Sequence, residues 1–343
     1  MKRCFLHVGF HKTATTSFQL TLQHNRQLLE DESIMLPCFR GKKQQFSANH
    51  TGQIRDLFDE SNQWLWHRNG PRSPTDAPKQ QTLLDHHHTL TQLLEQDQDI
   101  LISGEGISTL PKQSLARLAA QLEQRGFQIQ PFALVRAPYA YLTSALQQTI
   151  KNGKYQPLVG LSDQQLDPDG CDVKPPNTLK AINSLNQIFG ERMTYIPFQQ
   201  ATNAPGGPVL YLLKEVLLLQ NTEQYTCLNA NESKSNASTR LKNFLNQQHP
   251  HADQGQLRDL LKNVSAPAKR QKFLLTEQEF ARVEKEFKKI RREMKRKLGK
   301  AFIEERIGFA DPFSKQEVNA LLSQLCQDLY GFAIKRRGPA NPI

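Results

Sequence analysis

The segment of this chain best suited to chemistry is a hydroxyl-rich turn that carries one lysine. It reads Gly9-Phe-His-Lys-Thr-Ala-Thr-Thr-Ser17, follows a short apolar run and leads directly into a helical pattern. Backbone N–H groups at such a turn point toward a bound anion, and the helix dipole favours negative charge there. The hydroxyls and Lys12 add further donors, so the segment predicts a phosphate-binding loop.

Two families of nucleotide-binding enzymes use a loop of this kind. A Walker loop has the form G-x-x-x-x-G-K-[ST], whereas here His11, not glycine, precedes Lys12. The segment His7 to Phe18 instead resembles the 5′-phosphosulfate loop of sulfotransferases that use 3′-phosphoadenosine 5′-phosphosulfate (PAPS), in the version of carbohydrate and bacterial members. That loop usually has glycine where this chain has Ala14, and a Cβ there restricts the turn. A nucleotide-dependent kinase remains the alternative enzyme class.

A second segment resembles the 3′-phosphate site of the same family. In Phe132-Ala-Leu-Val-Arg-Ala-Pro-Tyr-Ala-Tyr-Leu-Thr-Ser144, a strand pattern ends in arginine, a proline opens the next helix and a serine follows within it. Arg136 would offer a charged fork to a phosphate, and Ser144 a hydroxyl from the same side. The resemblance therefore implies PAPS as co-substrate, PAP as product and the following nucleotide-binding residues: Lys12, Thr13, Ala14, Thr15, Thr16, Ser17, Arg136 and Ser144.

Sulfuryl transfer requires charge stabilisation and a base for the acceptor proton. Lys12 is the candidate for neutralising the bridging oxygen and the 5′-phosphate. Glu105, which lies between two glycines after a predicted strand, is the first candidate for the base, and His11 is the second. A helix-start carboxylate that binds only backbone amides is an equally good interpretation of Glu105. The mechanism requires no metal, and three adjacent histidines at 86–88 point in different directions on a helix.

The pattern of apolar residues predicts an α/β fold: a P-loop-like, doubly wound parallel sheet of about five strands flanked by helices, with a helical C-terminal part. Helical patterns separate the predicted strands, which favours crossover connections. The predicted crossover helices are Ser17–Leu29, Leu83–Leu94, Leu115–Leu122, Tyr139–Ile150 and Leu179–Ile188. We expect a PAPS-binding core over residues 1–250 and a helical extension over 251–343, packed on the core. The predicted strands are Cys4–Val8, Ile34–Leu36, Ile100–Ser103, Ile129–Val135 and Met193–Phe198.

Two amphipathic helices are predicted in the extension. Thr276 to Gly299 begins with a capping box and carries apolar residues at three- and four-residue spacing, and Ser314 with Glu317 opens another helix. The first helix is basic along Lys285 to Lys300, which leaves a non-catalytic polyanion-binding protein as a third interpretation.

Composition narrows the partners and the compartment. The 343 residues carry a formal net charge of +11, which favours anionic partners. The five cysteines are widely separated and include no C-x-x-C pair, so a reducing, cytoplasmic compartment is expected. No apolar run is long enough to cross a bilayer. We expect the acceptor to be a glycan or glycoconjugate, and the net positive charge is compatible with an acidic one. Nucleic acid is not expected as a partner, and peripheral membrane contact is compatible with the charge.

Overall fold

The computed structural model describes residues 2–40, 46–66, 77–162, 178–230, 234–250 and 272–337. Contacts within the chain group it into two compact units. The first contains residues 1–137 and 177–231, and the second contains residues 138–176 and 232–343. The predicted boundary at residue 250 adjoins residues outside the described part of the chain and stays a prediction.

A five-stranded, all-parallel sheet forms the centre of the first unit and is flanked by helices, so the predicted α/β class is confirmed. Continuous apolar runs form its central strands because both faces of a parallel sheet are covered. The strand order is β2-β3-β1-β4-β5, so the chain passes from β1 to the edge strand β2, returns to β3 beside β1, and then continues on the other side of β1 through β4 and β5. The strands are β1 (Lys2–His7), β2 (Ile34–Met35), β3 (Asp99–Ser103), β4 (Phe127–Val135) and β5 (Thr194–Pro197).

Each predicted helical pattern corresponds to a helix, with two exceptions described below, and the short helices that begin at Thr51, Phe198 and Gly207 were not predicted. In chain order, the α-helices of the described residues are α1 (Thr15–His24), α2 (Arg26–Asp31), α3 (Thr51–Phe58), α4 (Ala77–Leu94), α5 (Lys112–Gln124), α6 (Pro138–Lys151), α7 (Thr178–Phe189), α8 (Phe198–Asn203), α9 (Gly207–Tyr211), α10 (Asn236–Gln248), α11 (Glu277–Ala281), α12 (Glu284–Leu298) and α13 (Lys315–Arg337).

The first exception is the helical pattern from Ser17 to Leu29, which the structure divides into α1 and α2 at Asn25. The Asn25 amide donates to the carbonyls of Thr21 (2.7 Å) and Thr226 (3.0 Å), and its oxygen accepts from Thr226 N–H at 3.0 Å. Asparagine side chains compete in this way with the helix's own hydrogen bonds. The break ties the end of α1 to the segment after α9.

The hydrophobic core of the first unit lies against the sheet. Phe5, Leu101, Phe132 and Leu134 from the strands are at most 1% exposed, and Phe18 from α1 is fully buried among them. Burying side chains of this size contributes roughly 1.5–3 kcal/mol each. The core therefore fixes β1 and the start of α1, which are the elements on either side of the lysine-containing turn.

The second unit is helical in its described part and has its own core. Tyr139 and Leu142 of α6 pack with Phe273, Phe280 and Phe287. Beside this core, Arg240 of α10 forms a buried ion pair with Glu279 of α11, with side chains only 3% and 1% exposed. Each charged group also binds main-chain atoms, so the pair fastens three segments together.

The second exception is the predicted helix from Thr276 to Gly299, because the structure contains two helices there, α11 and α12. The capping box of Thr276 and Glu279 is present, and the chain turns at Val283, whose N–H bonds to the carbonyl of Phe280 at 2.9 Å instead of continuing the α-helix. Ser314 and Glu317 also form their predicted cap at the start of α13.

Candidate anion-binding site

The strand order brings the three candidate loops to one edge of the sheet. β1 lies between β3 and β4, so the turn after β1 lies between the turn that carries Glu105 and the end of β4 that precedes Arg136. Hydrogen bonds fasten this edge: Gly104 N–H donates to His7 O at 3.0 Å, and Ser108 N–H donates to Val8 O at 3.0 Å. Ligands of open α/β sheets bind outside the carboxyl ends of the strands, where such loops meet.

Gly9 allows the lysine-containing turn to pass directly against the Glu105 turn. Its φ is +57°, and a Cβ at this position would lie 2.7 Å from Glu105 Cα. Any larger residue would therefore push the two turns apart as well as strain the backbone. The glycine that begins the predicted anion-binding loop is required by this close approach.

Two further residues of the loop have left-handed backbone conformations. Lys12 has φ 69° and Ala14 has φ 59°, and Ala14 is the N-cap of α1. Alternation of this kind turns successive N–H groups toward one side, which is how main-chain anion sites form. Among the described residues, no side chain caps the start of α1, and its first turn contains no acidic residue. The first N–H groups of α1 thus lack the side-chain acceptor that usually satisfies them.

The hydroxyl groups of the loop divide into those that brace the protein and one that faces solvent. Thr13 Oγ1 donates to the carbonyl of Phe10 at 2.6 Å, and Thr15 Oγ1 donates to the same oxygen at 3.4 Å. Ser17 Oγ accepts from Ala230 N–H at 3.0 Å. Thr16 alone among these hydroxyl residues is exposed. An anion at the loop would therefore meet main-chain N–H groups, Lys12 and Thr16, while the buried hydroxyls hold the loop's shape.

The two candidate bases contact each other. His11 Nδ1 lies 3.0 Å from Glu105 Oε1, and their side chains are 52% and 27% exposed. The hydrogen bond from His11, together with the positive charge of Lys12, lowers the pKa of Glu105 below its ordinary value, although partial burial opposes this. Glu105 is therefore an ionised acceptor at neutral pH, held beside the lysine.

Buried histidines support the Glu105 turn from below. His7 Nδ1 lies 2.8 Å from Ser103 Oγ, and Ser103 N–H donates to His50 Nδ1 at 3.1 Å. Burial lowers the pKa of both imidazoles to about 3, so both are neutral. Thr51 Oγ1 accepts from Gly106 N–H at 2.9 Å. These supporting residues were not identified from the sequence, because the contacts join positions that are 53 and 55 residues apart along the chain and form only in the folded protein.

Arg136 is a partly buried cation without an anionic partner in the described part of the chain. Its guanidinium carbon lies 4.5 Å from the centre of the Phe198 ring, and its buried Nε has no hydrogen-bond acceptor among the residues described. Burial lowers the pKa of this guanidinium to about 10. A desolvated positive charge of this kind is costly until an anion pairs with it.

Ser144 belongs to α6 in the second unit, where it is partly buried. The start of α6 already binds a carboxylate, since Ala140 N–H donates to Glu304 Oε1 at 2.9 Å. Burial raises the pKa of Glu304. The role of Ser144 in holding a 3′-phosphate stays a prediction from the sequence.

The histidine cluster on α4 and the basic helix α12 have other contacts. His87 packs against Trp66, with ring centres 4.4 Å apart, whereas His86 contacts Phe39. Over the ranges that the structure describes, no group of His, Cys, Asp and Glu side chains is arranged to hold a metal ion. On α12, Arg291 donates to the carbonyl of Glu304 at 2.7 Å and Arg296 pairs with Glu293, so part of the basic surface is engaged within the protein.

Within the described residues, every helix is too short or too polar to span a membrane. Comparison with known proteins found no matching family model, no matching curated protein and no matching solved structure.

Proposed function

We propose that this protein is a PAPS-dependent sulfotransferase that moves the sulfuryl group to a hydroxyl or amine of a glycan or glycoconjugate acceptor and releases PAP. The loop from Gly9 to Ser17 would hold the 5′-phosphosulfate through its main-chain N–H groups. Lys12 would neutralise the charge that develops on the leaving oxygen. The turn with Glu105, pressed against Gly9, would lie next to the transferred group.

The observation that carries this proposal is the guanidinium of Arg136, which has no anionic partner in the part of the chain that the structure describes. A loop for one phosphate is common to many nucleotide-binding proteins, but a second, desolvated cation at the end of the neighbouring strand calls for a second anionic group. PAPS carries a 3′-phosphate, whereas ATP has none. The planar guanidinium fork suits a phosphate, and Phe198 beneath it fixes the direction of the fork.

In the proposed reaction, the acceptor oxygen or nitrogen forms a bond to sulfur while the bond between sulfur and the bridging phosphate oxygen breaks. That oxygen leaves with PAP, and its negative charge is stabilised by Lys12. The acceptor proton passes to the carboxylate of Glu105, which is ionised at neutral pH because its pKa is lowered. His11 would hold this carboxylate in position, or take the proton itself if the acceptor approaches the imidazole. Most of the catalysis would come from positioning and electrostatics.

Ligand-induced stabilisation tests the proposal without knowledge of the acceptor. The melting temperature is measured with PAP, with adenosine 5′-phosphate, and with ATP and magnesium. A ligand at a hundred times its Kd stabilises the native state by about 2.7 kcal/mol. We expect a shift with PAP that exceeds the shift with adenosine 5′-phosphate. A large increase in melting temperature with ATP and magnesium, and none with PAP, would contradict the sulfotransferase proposal and favour a nucleotide-dependent kinase.

A further inference from the structure

A cavity lies in the first unit, apart from the lysine-containing loop. It has a volume of about 860 Å³ and is bounded by α3, by α4 and by residues at both ends of the segment 38–46. Cavities of roughly 300–1,000 Å³ hold small organic ligands in proteins. None of its lining residues belongs to the loop from Gly9 to Ser17.

Two buried polar atoms of this cavity's side chains lack a partner in the described structure. His86 is 7% exposed, and its Nδ1 has no hydrogen-bond partner among the residues described. The same is true of Gln53 Oε1, which comes from α3 on another wall. Buried polar atoms are nearly always hydrogen-bonded in folded proteins because leaving them unpaired is costly. Protein atoms cover both in this structure, so a polar ligand in the cavity would satisfy them once the two side chains turn toward it.

The remaining lining indicates which kind of polar ligand would fit. Thr82, Asp85, Thr89 and Gln92 follow one another at three- and four-residue spacing along the cavity. The Thr82 and Thr89 hydroxyls donate to the carbonyls of Pro78 (3.0 Å) and Asp85 (2.9 Å), and Asp85 Oδ1 accepts from Gln81 Nε2 at 2.8 Å. A ligand would therefore meet acceptor oxygens on these three side chains, together with the amide of Gln92, which can also donate. The hydroxyls of a sugar, which both donate and accept hydrogen bonds, suit this lining. Phe46 adds a ring that is 48% exposed, against which the C–H face of a sugar ring can pack.

The cavity wall is packed against the turn that carries Glu105. Thr51, which accepts the N–H of Gly106, is the first residue of α3, and Gln53 follows two residues later. The centre of the Phe39 ring lies 5.7 Å from the ring centre of His50 and 5.7 Å from that of His86. The same short helix thus supports the candidate base and lines the cavity.

We infer that this cavity binds a saccharide segment. The assignment of this saccharide as the acceptor of the sulfuryl group rests on the proposed function. The inference that the cavity binds a sugar does not depend on it. A disaccharide fits the volume, and the lining recognises its hydroxyl groups rather than a high net charge, since the cavity has a guanidinium, Arg40, as well as a carboxylate, Asp85.

Saturation-transfer NMR with cellobiose, maltose and lactose as probes tests the inference. We expect at least one of the three to receive saturation from the unmutated protein. Gln92→Trp, which fills the cavity from an exposed position, should abolish the signal. Gln113→Trp is the matched control, because Gln113 is an exposed glutamine of α5 that does not line the cavity. Gln53→Leu keeps the size of the side chain and should weaken binding about fivefold, as the loss of one hydrogen bond does.

The outcomes separate this inference from the proposed function. Absence of binding by all three sugars would overturn the inference, and so would binding that survives both Gln92→Trp and Gln53→Leu in folded protein. PAP-induced stabilisation, measured on the same variants, should be unchanged. If the protein binds a sugar but PAP does not stabilise it, the inferred saccharide site would stand and the proposed sulfotransferase function would be rejected.

Discussion

His11 Nδ1 and Glu105 Oε1 lie 3.0 Å apart and join the loop after β1 to the turn after β3. The bond holds the carboxylate next to Lys12. The close approach at Gly9 keeps the two turns in contact, and the buried His7 and His50 hold Ser103 in place just before the Glu105 turn. An orienting partner on a candidate base is the arrangement by which enzymes hold a proton acceptor in place. The pair makes the assignment of the base directly testable.

Glu105→Gln is expected to lower turnover by about a hundredfold or more, since general bases contribute roughly 10²–10⁴. His11→Asn should lower it by about tenfold, because it removes only the orienting hydrogen bond. The lowered pKa of Glu105 also predicts the pH profile. The base stays deprotonated as the pH falls, so activity should decline only below about pH 4.3, the ordinary value for a glutamate.

The control for these two variants is nucleotide binding, which should be retained in both. A larger loss of turnover in His11→Asn than in Glu105→Gln would transfer the role of base to His11.

Lys12→Ala is expected to reduce turnover by about a hundredfold or more, which is the usual effect of removing one preorganised donor to a developing negative charge. Lys112→Ala, an exposed lysine at the start of α5, is the matched control and should leave turnover unchanged. Steady-state kinetics with labelled PAPS measures both. Near-normal turnover in folded Lys12→Ala would contradict the assigned role.

Ala14→Gly is expected to raise the free energy of unfolding by about 0.5 kcal/mol. Ala14 has φ 59°, a conformation that costs a non-glycine residue roughly 1–2 kcal/mol. Glycine removes this strain but adds about 0.5–1 kcal/mol of backbone entropy loss on folding. Ala116→Gly, at an exposed position within α5, should instead lower stability by about 1 kcal/mol. Urea unfolding of the two variants tests the comparison, and equal destabilisation would contradict the strain at Ala14.

The sequence predicted the sheet well because each strand is a short apolar run between strong turn signals. It also indicated the two candidate anion-binding segments, since Lys12 and Arg136 each lie within a few residues of the end of such a run. The break at Val283 was missed because Phe280, Val283 and Phe287 keep helical spacing through it. The spacing of apolar residues indicates which side chains face the core. It does not reveal that the N–H of Val283 bonds to Phe280 instead of continuing the α-helix.

Contacts that depend on strand order were also outside the reach of sequence reasoning. Phe198 begins the helix after β5, and its place beneath Arg136 follows from the pairing of β4 with β5. The cavity beside α4 likewise joins Gln53 and His86, which are 33 positions apart. Nothing in the local pattern of either residue indicates this proximity.

Glu279→Gln is expected to lower the free energy of unfolding by about 3–5 kcal/mol, because it leaves the buried guanidinium of Arg240 without its counter-charge. Glu284→Gln removes the partner of Lys288 in an exposed pair and should cost less than about 0.5 kcal/mol. Urea unfolding measures both. Similar losses in the two variants would mean that the buried pair does not hold the second unit together.

Arg136→Met separates ligand binding from stability. Methionine can keep packing against Phe198 while the charge is removed. Burial lowers the pKa of Arg136 to about 10, so keeping the group charged in the folded state costs stability at every pH below that value. Its attraction to the Phe198 ring returns part of this cost, about 1–2 kcal/mol. We therefore expect the ligand-free variant to unfold no more easily than the unmutated protein, with a gain on the order of 1 kcal/mol.

In Arg136→Met, stabilisation by PAP should fall to the level given by adenosine 5′-phosphate, which under the proposed function would bind only the loop around Lys12. Thermal unfolding with each ligand provides both measurements. A variant that loses stability and keeps its preference for PAP would show that Arg136 serves the fold rather than the nucleotide.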